Sequence, residues 1–352
     1  MTSDRNAALF VSNWFSVSSE NYSGFTLQLV SKLTDNRWRI ITTSPLRNRF
    51  LRPAAMCATA WRARKRYEVA QIDVFSGPAF LWAEAVAGLL HGLQKPYILT
   101  LHGGNLPLFA RRWPGRVQRL LASAAIVTTP SRYLQEQMAS YRDDIILLPN
   151  ALDLSLYHPR PSDQPIGPRL IWLRAFHRTY NPVLAAQVME RLQGDWPDVH
   201  LTMVGPDKGD GTFPEFQRFV SQRHLEQHVT CIGGVPKAEV PSWLQQGDIF
   251  INTTNIDNTP VSVIEAMASG LCIVSTNVGG LPYLLTHEHD ALLVPPNDPD
   301  AMAAAIRRIL TEPDLAERLS RNARTKAERF DWSVILPQWE QLLMDAAARR
   351  RS

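Results

Sequence analysis

The stretch that decides the reading runs from residue 248 to residue 285: DIFINTTNIDNTPVSVIEAMASGLCIVSTNVGGLPYLL. It opens as an apolar strand ending near Asn252. A polar loop, 253–259, follows. Pro260 stands where a first-turn helix proline is tolerated, and the apolar run behind it reaches Gly270, a good C-terminal stop. A second strand, 271–275, then leads to Gly279 and Gly280. A helix that opens beside such a loop turns its unpaired N–H groups and its positive dipole end toward whatever binds there, which suits a diphosphate. Glu265 is a carboxylate among Val261, Val263, Ile264, Ala266 and Met267. An unpaired buried charge is costly. Either Glu265 accepts hydrogen bonds from a ribose diol, or the helix is amphipathic and Glu265 lies on its wet face. Pattern alone leaves both open.

Outward from this stretch, short apolar strands alternate with amphipathic helices. Strands are expected at 7–12, 39–42, 72–75, 97–101, 125–128 and 145–148, and again at 169–174, 200–204, 228–232, 248–252, 271–275 and 291–294. In the second half, helices are expected at 181–193, 213–223, 237–246, 260–269 and 298–310. Between the halves, residues 159–168 hold four prolines and one glycine and read as a linker. The pattern implies an α/β fold of two tandem Rossmann-like, doubly wound domains facing a cleft, at 1–160 and 169–330. Ligands of such sheets bind outside the carboxyl ends of the strands. The 352 residues and 45% apolar content suit two globular domains.

Composition narrows the setting. The best membrane-span candidate, 77–90, carries Glu84 and falls short of the ~20 residues needed. Residues 1–6 include Asp4 and do not read as a secretory signal, so a cytoplasmic protein is expected. Cys57, Cys231 and Cys272 are widely spaced and odd in number, and buried free thiols are expected. Net charge is +4 but divided: residues 1–168 hold 19 Lys and Arg against 11 Asp and Glu, the rest 18 against 22. The basic half is expected to face something anionic.

The 248–285 stretch closely resembles the signature of the retaining glycosyltransferases of family 4, whose GT-B fold has two Rossmann-like domains. Their hallmark is two acidic residues separated by seven others, the second opening an E-A-M-A-x-G run that leads to a strand and a Gly-Gly pair. Here Asp257 and Glu265 hold that spacing, followed by Ala266-Met267-Ala268-Ser269-Gly270 and, after the strand, by Gly279-Gly280. The resemblance implies that Glu265 binds the donor ribose and that Asp257 contacts hydroxyls of the transferred sugar. It also implies that Val261 and Ser262 offer backbone N–H groups to the diphosphate. The first acidic residue departs from the pattern, being Asp rather than Glu.

The resemblance extends along nearly the whole chain. Arg174 fits the family's phosphate-binding arginine, and a fork of fixed donors suits a diphosphate. The lysine that usually follows is absent, and Arg178, His177 or Tyr180 stand as substitutes. Residues 18–24, with the single Gly24, match the family's glycine-containing loop against donor phosphate and acceptor. His102, in Thr100-Leu101-His102-Gly103-Gly104, matches a histidine near the transferring sugar. Gly233-Gly234-Val235 matches the segment lining the nucleobase pocket. Residues 329–333 match the point where the last helix, 333–352, returns to the first domain. His287-Glu288-His289-Asp290 reads as a solvated loop rather than a metal site, and Gly205–Gly209 as an ordinary turn, since P-loop spacing is missing.

The resemblance therefore implies a retaining transfer of a sugar from a nucleotide-diphosphate donor to a glycan, lipid-linked or small-molecule acceptor, in cell-envelope polysaccharide or glycoconjugate synthesis. His102, Asp257 and Arg174 are the candidate catalytic residues. Gly24, Arg174, Arg178, Val235, Val261, Ser262 and Glu265 are the candidate donor-binding ones. No metal or cofactor is expected, because Arg174 and helix N–H groups stand where a cation would. Two rivals use the same fold: a non-catalytic nucleotide-sugar binder, and a nucleotide-sugar epimerase or phosphorylase. A nicotinamide oxidoreductase fails, since no G-x-G-x-x-G follows any strand. Two basic clusters interleave with aromatics: Arg47, Arg49, Arg52, Arg62, Arg64, Lys65 and Arg66 with Trp61 and Tyr67, and Arg111, Arg112, Arg116 and Arg119 with Phe109 and Trp113. They suit an anionic membrane surface, placing the enzyme peripherally on the cytoplasmic face, or else form a solvated basic face. Nucleic acid is not expected.

Overall fold

The computed structural model describes residues 6–12, 25–43, 51–160 and 164–349. The chain divides into two compact units, Met1–Ala151 with Trp332–Ser352, and Leu152–Asp331.

The first unit is built on a parallel sheet of β1 (Ala7–Val11), β2 (Arg39–Thr42), β3 (Val69–Val74), β4 (Tyr97–Leu101), β5 (Ile126–Thr129) and β6 (Ile146–Leu147), in the order β2-β1-β3-β4-β5-β6. Every residue of β1, β3, β4 and β5 is buried; β1 and β4 accordingly read as nearly continuous apolar runs, while β3 and β5 also bury polar residues. On one face Leu9, Ile72 and Leu99 pack with the helices Leu51–Arg62, Ala79–Gly92 and Pro114–Ser123. On the other, Ala8, Phe10 and Ile98 meet the helices Phe25–Asp35 and Trp332–Ala348. That last helix buries Trp339, and its Trp332 ring stacks on Phe25 with centroids 5.6 Å apart.

The second unit repeats the plan with β7 (Arg169–Leu173), β8 (His200–Val204), β9 (Val229–Gly233), β10 (Ile249–Asn252), β11 (Cys272–Thr276) and β12 (Leu292–Val294). All pairings are parallel, in the order β12-β11-β10-β7-β8-β9. Counted within the unit and read from β9, this is the dinucleotide-fold order 3-2-1-4-5-6, whose switch point lies between β7 and β10. In the first unit the order reverses between β1 and β3. In the second unit the candidate residues Arg174, Asp257, Val261 and Ser262 follow the two strands that flank the switch point, β7 and β10; in the first unit His102 follows β4, one strand over.

Three boundaries depart from the expected ones by more than one residue. β3 starts at Val69 rather than 72, because its polar residues Gln71 and Asp73 are buried with hydrogen-bond partners. The expected helix 237–246 splits into a tight turn, Lys237–Glu239, and a short helix, Val240–Leu244, with Pro241 in its first turn. The proline-rich stretch lies within the second unit, because Leu152 bridges to Asp331 and Tyr157 is buried there.

Candidate functional site

In the second unit the candidate residues surround the start of the helix Val261–Ala268. Pro260 is its N-cap and no side chain caps it. The Pro260 carbonyl accepts from Val263 N and Ile264 N at 3.1 and 3.3 Å. The N–H groups of Val261 and Ser262, earlier in the first turn, have no helical carbonyl to reach. Arg174 follows β7 directly. Its backbone N donates to Val204 O at 3.1 Å, and its guanidinium pairs with Asp257 and lies 4.8 Å from the Tyr180 ring centroid. The resemblance assigned Arg174 and Asp257 separate partners on the donor; here they hold each other.

Glycines set these backbone positions. A Cβ at Gly205 would lie 1.6 Å from the Arg174 carbonyl oxygen, so the turn that looked ordinary in sequence is what lets β8 close against Arg174. A Cβ at Gly279 would lie 2.2 Å from Asp257 O, and one at Gly280 1.7 Å from Asn258 O. Gly280 N donates to Asp257 O at 3.0 Å. The Gly-Gly pair thus seats the loop that carries Asp257. The rest of the loop is tied down: Thr253 Oγ1 accepts from Trp172 Nε1 at 2.9 Å, Asn255 N donates to Thr179 O at 2.8 Å, and Thr276 Oγ1 donates to Thr254 O at 2.6 Å.

Glu265 is 2% exposed, which removes the amphipathic-surface reading. The carboxylate is not unpaired, however. Its Oε1 accepts from the Tyr157 hydroxyl at 2.5 Å and from the Lys237 ammonium. Burial, then the charge of Glu265 and the hydrogen bond to it, push the Tyr157 hydroxyl far above its ordinary value, so it stays protonated and donates. Neither partner was found from sequence. Lys237 follows the Gly233-Gly234-Val235 segment by two residues, and Tyr157 lies in the stretch read as linker. Val235 is half-buried against the cluster that supports the helix.

Arg178 and His177 are held elsewhere. Arg178 Nε and His177 Nε2 lie 3.3 and 3.5 Å from Asp210 Oδ2, and Thr179 N donates to His177 Nδ1 at 3.1 Å. Hydrogen bonds from Thr212 and from the Arg178 backbone hold Asp210 well below the usual carboxylate range. Nine buried side-chain polar atoms have no hydrogen-bond partner among the described residues, and three of them belong to these candidate segments: Arg174 Nε, Asn258 Oδ1 and Ser262 Oγ. Natural proteins rarely leave such atoms unsatisfied without a ligand, ion or water.

In the first unit, His102 follows β4 and stacks on Phe75 at 5.1 Å. Its Nε2 lies 2.9 Å from Asp73 Oδ1. Asp73 is 1% exposed and escaped the sequence reading because it sits inside an apolar strand. Gly24, with the 18–24 loop, lies outside the described residues, as do Arg47 and Arg49.

The remaining candidates resolve simply. His287–Asp290 is not a solvated loop throughout. Asp290 is fully buried, accepting from Thr286 N at 2.7 Å and from Lys326 Nζ at 2.5 Å. Among the described residues no group of three or more His, Cys, Asp or Glu could hold a metal ion. Of the three free thiols only Cys272 is buried; Cys57 is half-buried and Cys231 exposed, which corrects the expectation of buried thiols. In the basic clusters, Arg64 stacks over Trp61 at 4.1 Å and Arg112 over Trp113 at 5.7 Å, while Tyr67 is buried and Arg116 pairs with Glu84. Leu51, Trp61, Leu108 and Trp113 are exposed on the same helices and their ends, and Leu81 is exposed on the helix Ala79–Gly92. No helix among the described residues is long and apolar enough to cross a membrane.

Comparison with known proteins identifies the family. Residues 164–326 match the family described as glycosyl transferases group 1, and residues 19–156 match glycosyltransferase family 4. The chain is 28% identical over 291 residues to a D-inositol 3-phosphate glycosyltransferase of Paenarthrobacter aurescens, covering 77% of this chain and 70% of that protein. Two further relatives of that name are covered over 64% and 63% of their length, so the match spans about two thirds of such proteins. Among solved structures, a sucrose-phosphate synthase from Thermosynechococcus elongatus superposes with a TM-score of 0.80 at 21% identity, covering 98% of this chain and all of that one. Anabaena HepE in complex with UDP-glucose superposes with a TM-score of 0.74 at 16% identity, covering 96% and 99%. With one family match over most of each unit, and with solved GT-B structures matching both sheets, the chain belongs to the group 1, family 4-type glycosyltransferases of the GT-B fold.

Proposed function

We propose that the protein transfers a sugar, with retention of anomeric configuration and without a metal ion, from a nucleotide-diphosphate donor bound to the second unit. The observation that carries this is the trio of unsatisfied buried atoms, Arg174 Nε, Asn258 Oδ1 and Ser262 Oγ, beside an uncapped helix start. A diphosphate supplies acceptors for Arg174, for Ser262 Oγ–H and for the N–H groups of Val261 and Ser262. The same groups offset the charge that develops on the diphosphate as the bond to the anomeric carbon breaks. Both donors to Glu265 reach Oε1, so a ribose diol is read by the other oxygen. Asp257 accepts from hydroxyls of the transferred sugar and Val235 lies against the base; the first unit's contribution is assigned to His102, as the family resemblance implies. A nucleotide-sugar donor is supported by the capture of HepE with UDP-glucose.

The acceptor is a glycan or a lipid-linked molecule of envelope polysaccharide or glycoconjugate synthesis, met at an anionic membrane surface. The support is the exposed Leu51, Trp61, Leu81, Leu108 and Trp113 among arginines. Apolar insertion plus about 1 kcal/mol per nearby charge gives reversible peripheral binding. The test is release of nucleoside diphosphate from a panel of nucleotide sugars, with a lipid extract as acceptor and excess EDTA present. One donor should be consumed, and its product should keep the donor's anomeric configuration by NMR. An inverted product, or activity that needs added magnesium or manganese, overturns the corresponding part. Nucleotide binding with no turnover leaves a non-catalytic binder.

A further inference from the structure

The buried Asp73 lies at the switch point of the first sheet, beside His102. Its two oxygens meet four donors. Oδ1 accepts from Gln71 Nε2 at 2.7 Å and faces His102 Nε2 at 2.9 Å, while Oδ2 accepts from Thr26 Oγ1 at 2.8 Å and from the Ser12 hydroxyl. Gln71 Nε2 also donates to Thr100 Oγ1 at 3.0 Å, and Thr128 Oγ1 donates to the same oxygen at 3.0 Å. A polar layer thus runs across the carboxyl ends of four neighbouring strands. Burial pushes the Asp73 carboxyl up, but His102 and the hydrogen bonds from Ser12 and Gln71 outweigh it and leave it below its ordinary value. Ionised, it only accepts. A carboxylate has about four acceptor positions, and all four are taken by this chain. Asp73 therefore has no lone pair to offer a substrate and acts only through His102.

An acceptor-only partner at 2.9 Å requires the proton on His102 Nε2. The ring plane is fixed by Phe75, 20° from parallel, and the backbone by His102 N donating to Val74 O at 2.9 Å. Nδ1 has no hydrogen-bond partner among the described residues. We infer that Asp73 is a positioning residue that locks the His102 imidazole as its Nε2–H tautomer, presenting Nδ1 as a hydrogen-bond acceptor for a sugar hydroxyl. This deepens the proposed function, since the sugar comes from that reading; the tautomer lock stands on geometry alone.

The experiment separates the two. The full chain is labelled with 15N-histidine, and His102 is identified among the nine histidines by its loss in His102→Gln. Long-range 15N–1H spectra at neutral pH should show a protonated Nε2 and a bare Nδ1 in the wild type, and a mixed or reversed tautomer in Asp73→Asn. A wild-type His102 protonated on Nδ1 overturns the lock, and that measurement stands even where the variant does not fold. For the functional half, Asp73→Asn and His102→Gln should each lower kcat on the order of tenfold, the loss of one hydrogen bond, and the double variant no further. A double variant clearly worse than either single change gives Asp73 a role apart from His102 and overturns the inference. A locked tautomer with full turnover in His102→Gln overturns the sugar contact and leaves the lock.

Discussion

Replacing Glu265 by Gln is the sharpest probe of the donor site. The amide keeps the shape of the carboxylate and can still accept from Tyr157, but it loses the charge that faces Lys237 and the charged acceptor for a ribose diol. One charge-assisted hydrogen bond contributes about 1.5–3 kcal/mol, so nucleoside diphosphate should bind roughly 10- to 150-fold more weakly. Lys237 is about one-third exposed, so water takes over part of what its ammonium loses and the fold should survive. Ligand at 100 times the wild-type Kd stabilises the wild type by about 2.7 kcal/mol. A variant weakened about thirtyfold keeps about 0.9 kcal/mol at that concentration. For a unit of this size the missing ~1.8 kcal/mol should appear as roughly 4–7 °C less ligand-induced rise in Tm. Thermal shift with titration calorimetry reads this directly. Equal affinity in a variant with native near-UV circular dichroism refutes the ribose assignment and leaves Glu265 a structural anchor for Tyr157 and Lys237.

Gly280→Ala should cost about 1–3 kcal/mol of stability and much of the turnover, since its Cβ would lie 1.7 Å from Asn258 O. Gly88→Ala, in a helix with nothing within 4 Å of the new Cβ, should be neutral or stabilising in the same denaturation assay. Vesicles with anionic lipid should cosediment the protein at low salt and release it at high salt. Replacing Arg62, Arg64, Lys65 and Arg66 by Gln should weaken that binding, and equal recovery with neutral vesicles removes the membrane surface. Asp73 is held below its unfolded value, so its contribution to stability is complete above the ordinary carboxylate range and is lost as pH falls through the folded value. Acid denaturation followed between pH 5 and 2 should therefore be shallower in Asp73→Asn, and an unchanged slope contradicts the assignment.

Much of the fold was legible because parallel strands buried on both faces write themselves as apolar runs, as β4 does, and even the exposed edge strand β2 falls where it was expected. The helix Pro313–Ala327 went unread: its apolar residues Leu315, Ala316, Leu319, Ala323 and Ala327 are sparse among charges, and a lone stripe of small residues is a faint signal. In the site, the family resemblance carried by one loop and helix pointed to Asp257, Val261, Ser262 and Glu265. What spacing could not give is a partner from a distant segment. Lys237 meets Glu265 from 28 residues away, Tyr157 from 108, and Asp73 meets His102 across 29. Gly205 likewise looked like punctuation until the Arg174 carbonyl was placed against it.

The pairing of Arg174 with Asp257 gives the proposed donor site a way to tell substrate from product. On the proposed reading, a nucleoside diphosphate bound through the free Arg174 Nε shares the guanidinium with Asp257 and offers the aspartate nothing in exchange. A nucleotide sugar compensates both sides, phosphate oxygens for the arginine and hydroxyls for the aspartate. Once the sugar has moved to its acceptor, the abandoned aspartate competes for the arginine again and works against the spent nucleotide. An internal ion pair of this kind opposes product inhibition, and shortening the aspartate to alanine would prolong the stay of the leaving group even as it slows the transfer.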